Sequence, residues 1–270
     1  MKAVRRVEKM KDSDRNINDV ILEKLLEIEK REGVRIIYAV ESGSRAWGFA
    51  SPDSDYDVRF IYVRRKAEYL RLDKPRDVIE WQLDDTLDIN GWDIKKALTL
   101  LHKSNPTLFE WNGSPIVYKT TDEWQRISPV IDRYFDPRAA LYHYRSIATS
   151  NYKKYIKEEV KLKKYFYVLR PTLAAKWIID RGTPPPVEFG VLKDIYLRGE
   201  VLSAVCELME KKRLSPETAY GEPIAVLNEY LLGELSAIEE HLSLTEDGES
   251  LPWDRLNEIF LETIDGGEDE

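Results

Sequence analysis

The chain has 270 residues, 43% of them hydrophobic, which is enough for one large domain or two small ones with a sizeable core. No run of 18 apolar residues occurs, so no membrane-spanning helix is expected, and the single cysteine, Cys206, rules out a disulfide framework and a cysteine zinc site. The net charge of −8 argues against a polyanionic partner until its distribution is read: residues 217–270 carry sixteen acids and one arginine, a net of −15, which leaves +7 on residues 1–216.

The opening stretch MKAVRRVEKMKDSDRN is charged and no apolar segment follows it, so a secretory signal is not expected and the reading is a cytoplasmic protein. Residues 17–32 place Val20, Leu22, Leu25, Leu26 and Ile28 at helical spacing, with Gly33 as the stop. VRIIYAV (34–40) is a short β-branched run and predicts a buried strand. SGSRAWGFASPDS is a turn-rich connection with room for one helical turn over residues 44–49. YDVRFIYV (56–63) predicts a second strand. RDVIEWQL (76–83) and TLDIN (86–90) read as a hairpin joined at Asp84-Asp85.

From there the pattern turns helical. Ile94, Ala97, Leu98 and Leu101 share one face, and Asn90-Gly-Trp-Asp93 reads as a capping box with Asn90 as N-cap and Asp93 three residues on. Pro106 opens a short helix to residue 111, and residues 137–181 read as two long helices, the second kinked at Pro171. TPPPVEF (183–189) is a rigid connector, followed by helices over 190–212 and 222–244. Cys206 takes an apolar helical position and is expected in the core; His102, His143 and His241 are scattered and receive no ligand role. Strands first and helices after predict an α+β fold, with a mixed sheet in residues 1–120 and a helical domain in 121–270.

The chemistry lies between residues 43 and 57. A Gly43-Ser44 turn lets backbone N–H groups and a hydroxyl approach phosphate oxygens closely. Asp55 and Asp57, two apart at the start of a strand, share one face and can hold divalent ions in a two-metal site. Tyr56 and Val58 then point to the core. A third carboxylate from a neighbouring strand ordinarily completes such a site.

Gly43-Ser44, ten residues, then Asp55-Tyr56-Asp57-Val58 resembles the nucleotidyltransferase signature of the DNA polymerase β superfamily. Three strings in order, SGSRAWGFASPDSDYDVRFIY, LDINGWDIKKALTLLHKSNPTLFEWNGSPIVY and KKYFYVLRP, look like the bacterial YcgL-like group, also called RlaP, of predicted RNA-repair nucleotidyltransferases. The resemblance covers residues 35–190. It implies a five-stranded mixed sheet, two Mg²⁺ ions (Mn²⁺ as an alternative) and an NTP donor such as ATP. Carried onto this chain, Gly43 and Ser44 would hold the triphosphate, and Asp55 and Asp57 would bind metal. Asp88, between Leu87 and Ile89, is the expected third carboxylate; Asp93 is the rival, but reads better as a helix cap.

Arg45, next to the turn, is expected to reach the triphosphate, and Arg59, on the face of Asp57, to meet either the carboxylates or a phosphate. Trp47 and Phe49 are expected to pack beneath the turn. Residues 153–170 carry seven Lys or Arg against two Glu, interleaved with tyrosines, and are read as a basic helix spanning about 150–171. Within it Lys163, Lys164, Tyr167 and Arg170 are the expected nucleotide or nucleic-acid contacts. The leading reading is NMP transfer from an NTP to an RNA 3′ end, tRNA included. The alternatives are transfer to a small molecule or partner protein, and an inactive nucleotide-binding module.

Overall fold

The computed structural model describes residues 16–51, 54–82, 86–157, 160–214, 220–245 and 251–266. Helix α1 (Ile17–Glu32) begins at Asn16, whose side chain caps Asn18 N–H, and ends at Gly33 with φ 63°. Its buried residues Ile21, Leu25 and Ile28 lie on one stripe, as the apolar spacing predicts. Strand β1 (Arg35–Glu41) follows, then a single helical turn α2 (Gly43–Ala46) and strand β2 (Tyr56–Val63). After the short α3 (Lys66–Tyr69), β3 (Val78–Gln82) and β4 (Leu87–Asp93) form an antiparallel pair. Asp84-Asp85, the expected joint, lies outside the described residues.

Helix α4 (Ile94–His102) is capped by Asp93 itself, whose Oδ1 accepts from Lys95 N–H at 2.8 Å. This corrects the capping box: β4 runs three residues further than expected, Asn90 stays in the ladder opposite Glu80, and Asp93 takes the cap. Then come α5 (Pro106–Asn112), β5 (Val117–Thr120) and α6 (Asp122–Ile131). The sheet order is β3-β4-β2-β1-β5, with β2 and β4 parallel and the other pairs antiparallel. The expected α+β fold with a mixed sheet is what the chain adopts.

The helical part holds α7 (Pro137–Tyr155), strand β6 (Val160–Lys161), a 3-10 turn (Leu162–Tyr165) and α8 (Phe166–Arg181). The basic stretch is therefore not one helix. β6 pairs with β7 (Tyr220–Gly221), and the Tyr165 hydroxyl bonds both Asn228 and Ile224 N–H, so tertiary contacts break the run where local propensity would continue it. Pro171 sits inside α8 and cannot donate to the Tyr167 carbonyl; the Asn151 side chain supplies that bond at 2.8 Å. Residues 190–212 are likewise two helices, α9 (Phe189–Tyr196) and α10 (Gly199–Leu214), followed by α11 (Ala225–Leu244). Cys206 is exposed on α10, contrary to expectation, because α10 packs through Val205 and Leu208.

One core lies under α7 to α11, around Leu141, Phe166, Leu169, Phe189 and Leu231. A second covers one sheet face, where Ile37 and Ile61 meet α4, α5 and α6. Helix α12 (Asp254–Asp265) returns from the far end of the chain and joins it through Leu256, Ile259 and Ile264. The third core covers the other face, with α1 against Ile36, Phe60 and Ile89. Among the described residues no helix is long and apolar enough to cross a membrane.

Candidate active site

Glu41 closes β1 and Ser42 leads into the turn. Ser42 N–H donates to the Asp57 carbonyl at 2.8 Å, which fixes the turn against the start of β2. Gly43 has φ 59°, a left-handed backbone that a side chain disfavours. A Cβ there would also lie 2.0 Å from Asp57 Oδ2. Glycine is thus required twice over, and its bare backbone faces the carboxylate. Ser44 continues the turn, its carbonyl accepting from Phe49 N–H at 3.1 Å.

Asp57 is opposite Asp88 in the parallel register of β2 and β4. Arg59 reaches both: Nη2 lies 2.9 Å from Asp57 Oδ1 and 2.8 Å from Asp88 Oδ2, and Nη1 donates to the Asp88 carbonyl. Of the two outcomes open for Arg59, the structure shows the carboxylate pairing. Burial raises the Asp57 carboxyl above the usual carboxylate range; Arg59 opposes this, while the charges of Asp88 and Asp55 add to it. Asp88 is the more open of the pair, its side chain 53% exposed against 28% for Asp57. Asp55 is exposed and lies one residue before β2.

Asp93 stands at the other end of β4, roughly 16 Å along the strand from Asp88. It is 2% exposed and bound to Lys95 N–H and the Tyr69 hydroxyl. Its surroundings are those of a cap and a buried anchor, not of an open carboxylate. Among the described residues no three His, Cys, Asp or Glu side chains gather closely enough to ligate one ion. The Asp57–Asp88 pair holds the Arg59 guanidinium between its oxygens.

Glu41 is a site residue that sequence reading missed. It is 1% exposed, and its Oε1 accepts from Asp57 N–H at 2.9 Å while Oε2 accepts from the Tyr118 hydroxyl. Burial pushes its carboxyl up, against the two hydrogen bonds that hold it charged. The signal was present: an acid ending the apolar run RIIYAVE immediately before the turn.

The helical part holds the turn in place. Phe189 N–H donates to the Trp47 carbonyl at 2.9 Å, and the buried Lys212 donates to the Phe49 carbonyl at 2.8 Å. The Phe49 ring stacks on Phe166 at 4.7 Å; burying a side chain of this size stabilises by about 1.5–3 kcal/mol. Trp47 meets Tyr167 edge-on at 5.9 Å. Lys164 Nζ lies over both Tyr155 and Tyr167, at 4.3 and 4.4 Å, and so stands beside the turn. Lys163 is half-buried in the preceding 3-10 turn.

Two expected contacts are placed differently. Arg45 donates to the carbonyls of Ser54 and Asp55 and lies 3.6 Å from the Tyr56 ring centre, tying the turn to β2. Arg170 is 2% exposed and paired with Glu110, which also accepts from the Tyr144 hydroxyl at 2.6 Å. It bolts α8 to α5 from inside.

The family model described as RNA repair pathway DNA polymerase beta family (RlaP) matches residues 17–262. The chain belongs to that family. The RlaP match takes in every element from α1 to most of α12, the Gly43 turn and the Asp57–Asp88 pair included. The uncharacterized protein YcgL of Bacillus subtilis (strain 168) is 44% identical over 250 residues, covering 91% of this chain and 95% of that one. A nucleotidyltransferase-like protein from Exiguobacterium sibiricum 255-15 is 13% identical, over 84% of this chain and 75% of its own, with a TM-score of 0.30, too low to bear on the fold. RlaP membership supports nucleotidyl transfer as the protein's chemistry.

Proposed function

We propose that the protein moves a nucleoside monophosphate from an NTP to the 3′ hydroxyl of an RNA. The observation that carries this is the Asp57–Asp88 pair in register on adjacent strands, with the bare backbone of Gly43 against Asp57 Oδ2. The family description, with its RNA repair pathway, favours RNA as acceptor.

The donor set is all oxygen, which suits Mg²⁺ or Mn²⁺, and the Arg59 guanidinium sits between the two carboxylates, where their negative charge favours a cation. Asp57 and Asp88, with Asp55, would hold the ions. Such ions, if bound there, would supply a lowered pKa for the attacking hydroxyl and neutralisation of the leaving pyrophosphate. Gly43 and Ser44 would hold the triphosphate through backbone N–H groups and the Ser44 hydroxyl. Lys164 and Tyr167, beside Trp47, would take the donor's remaining charge and base, with Lys163 next to them. The RNA 3′ oxygen forms a bond to the α-phosphorus while the bond from that phosphorus to the bridging oxygen breaks, and pyrophosphate leaves. Asp88, the more open carboxylate, accepts the hydroxyl proton. Glu41 fixes the backbone of Asp57, so the carboxylate is presented without rearrangement.

An α-labelled NTP with Mg²⁺, offered RNA, small hydroxyl compounds or no acceptor, tests the proposal. Label on RNA with release of pyrophosphate is expected. Label on the protein or a small molecule would move the acceptor to another class, and bound but unreacted NTP would leave a binding module.

A further inference from the structure

The end of the sheet away from Asp57 carries a second feature. There a cavity of about 1170 Å³ opens where β1 begins and β2 ends. Asp57 and Val63 are six residues apart on β2, so the cavity lies roughly 20 Å from the candidate active site. Six cationic side chains line it: Lys30, Arg35, Arg64, Arg65, Lys66 and Lys119. Acids pair four of them: Glu29 lies 2.7 Å from Lys119, Glu123 is on Arg35, Asp265 lies 2.7 Å from Lys66, and Glu68 and Asp93 lie 3.5 and 3.9 Å from Arg64. These eleven side chains carry a net charge of +1, and Lys30 and Arg65 are the cations outside these pairs. Arg64 is 9% exposed, and its Nε is buried without a hydrogen-bond partner. Lys30 and Arg65 are exposed at the rim. No aromatic side chain is among the lining residues, so the cavity offers charge but no platform for bases.

A nucleic acid held by charge without base stacking is held by its phosphate backbone. We propose that this cavity binds the phosphodiester backbone of the RNA upstream of its reacting 3′ end, independently of base sequence. The inference rests on the proposed RNA acceptor. It adds a second contact, some 20 Å from the carboxylates, that selects a polynucleotide over a free nucleoside.

The test uses the full chain with Lys30→Glu and Arg65→Glu together, and a milder Lys30→Ala with Arg65→Ala pair as the control for folding. Both residues are exposed and neither belongs to the candidate active site. Affinity for a single-stranded RNA is measured across salt concentrations. The reversal pair is expected to lose at least about tenfold in affinity near 0.1 M salt, and the alanine pair to flatten the log–log salt slope by about 1.4, at ~0.7 per lost phosphate contact. NTP binding and the melting temperature should stay put, and two RNAs of unrelated sequence should lose equally.

Unchanged RNA affinity and slope in both variants would overturn the proposal, as would a wild-type chain that binds no RNA at low salt. So would a loss confined to inorganic tripolyphosphate with RNA binding kept, which would give the cavity to small polyphosphates. If label never reaches RNA yet both variants weaken RNA binding, the acceptor reading falls and the cavity stands. If label reaches RNA and the variants bind it unchanged, the cavity falls and the acceptor reading stands.

Discussion

Gly43 approaches Asp57 so closely that a methyl group on it would lie 2.0 Å from Oδ2. The turn and the carboxylate are thus one unit. Gly43→Ala places a side chain at φ 59°, which costs about 1–2 kcal/mol in the left-handed region. It also displaces the carboxylate, and a shift of about 1 Å at a reacting centre costs roughly 10²-fold in rate. Turnover should fall by that order with a modest drop in melting temperature. An alanine variant with full turnover would separate the turn from the chemistry.

Asp88 and Asp93 end the same strand and should answer differently. Asp88→Asn, at an open position opposite Asp57, should abolish transfer and barely move the melting temperature. Asp93→Ala removes a cap and the Tyr69 bond, costing about 0.5–2 kcal/mol from the cap alone, and should leave turnover largely in place. Denaturant melts beside rate measurements decide it; the reverse pattern would exchange the two roles.

Glu41 makes stability depend on pH in a definite direction. Burial raises its carboxyl above the unfolded value, so the folded state binds the proton more tightly. Stability from this group is full below the unfolded pKa and is lost as pH rises through the folded pKa. Glu41→Gln keeps an acceptor for Asp57 N–H and removes the titration. Relative to wild type, the variant should therefore be more stable at pH 7 than at pH 4. A difference in melting temperature that does not vary with pH would show that Glu41 is not held in this way.

Arg170 tests a correction. The sequence places it in the basic run with Lys163 and Lys164, where a nucleotide contact is the natural reading. The structure buries it on Glu110. Breaking such a pair by removing one partner costs about 3–5 kcal/mol, because the other charge is left behind. Arg170→Ala should lose stability of that order in urea, whereas Lys164→Ala should lose NTP affinity with little change in stability. Equal effects on NTP affinity and none on stability would return Arg170 to the nucleotide.

Much of this was legible because it is local. The Ile21, Leu25 and Ile28 stripe, the stop at Gly33 and the β2 strand are written in spacing and residue type. Asp88 was singled out because its place between Leu87 and Ile89 matches the superfamily pattern, and the structure sets it opposite Asp57. What was hidden depends on distant partners. The break after Tyr155 is set by β7 and Asn228, more than sixty residues on. Glu41 is buried because Tyr118 and the Asp57 backbone come to it. Helix α12 shows no sign in its own pattern that it returns to the sheet beside Trp124 and Ile127. Cys206 shows the converse: an apolar-looking position that the packing of α10 leaves outside.

The most direct measurement is transfer of an α-labelled NTP onto an RNA with an open 3′ hydroxyl, by wild type and by Asp57→Asn. Losing one preorganised charge from such a site costs on the order of 10²–10³ in rate. The account predicts label on the RNA with wild type, none on a 3′-blocked RNA, and a loss of that size in Asp57→Asn with an unchanged melting curve. An Asp57→Asn variant that labels RNA at the wild-type rate would contradict it.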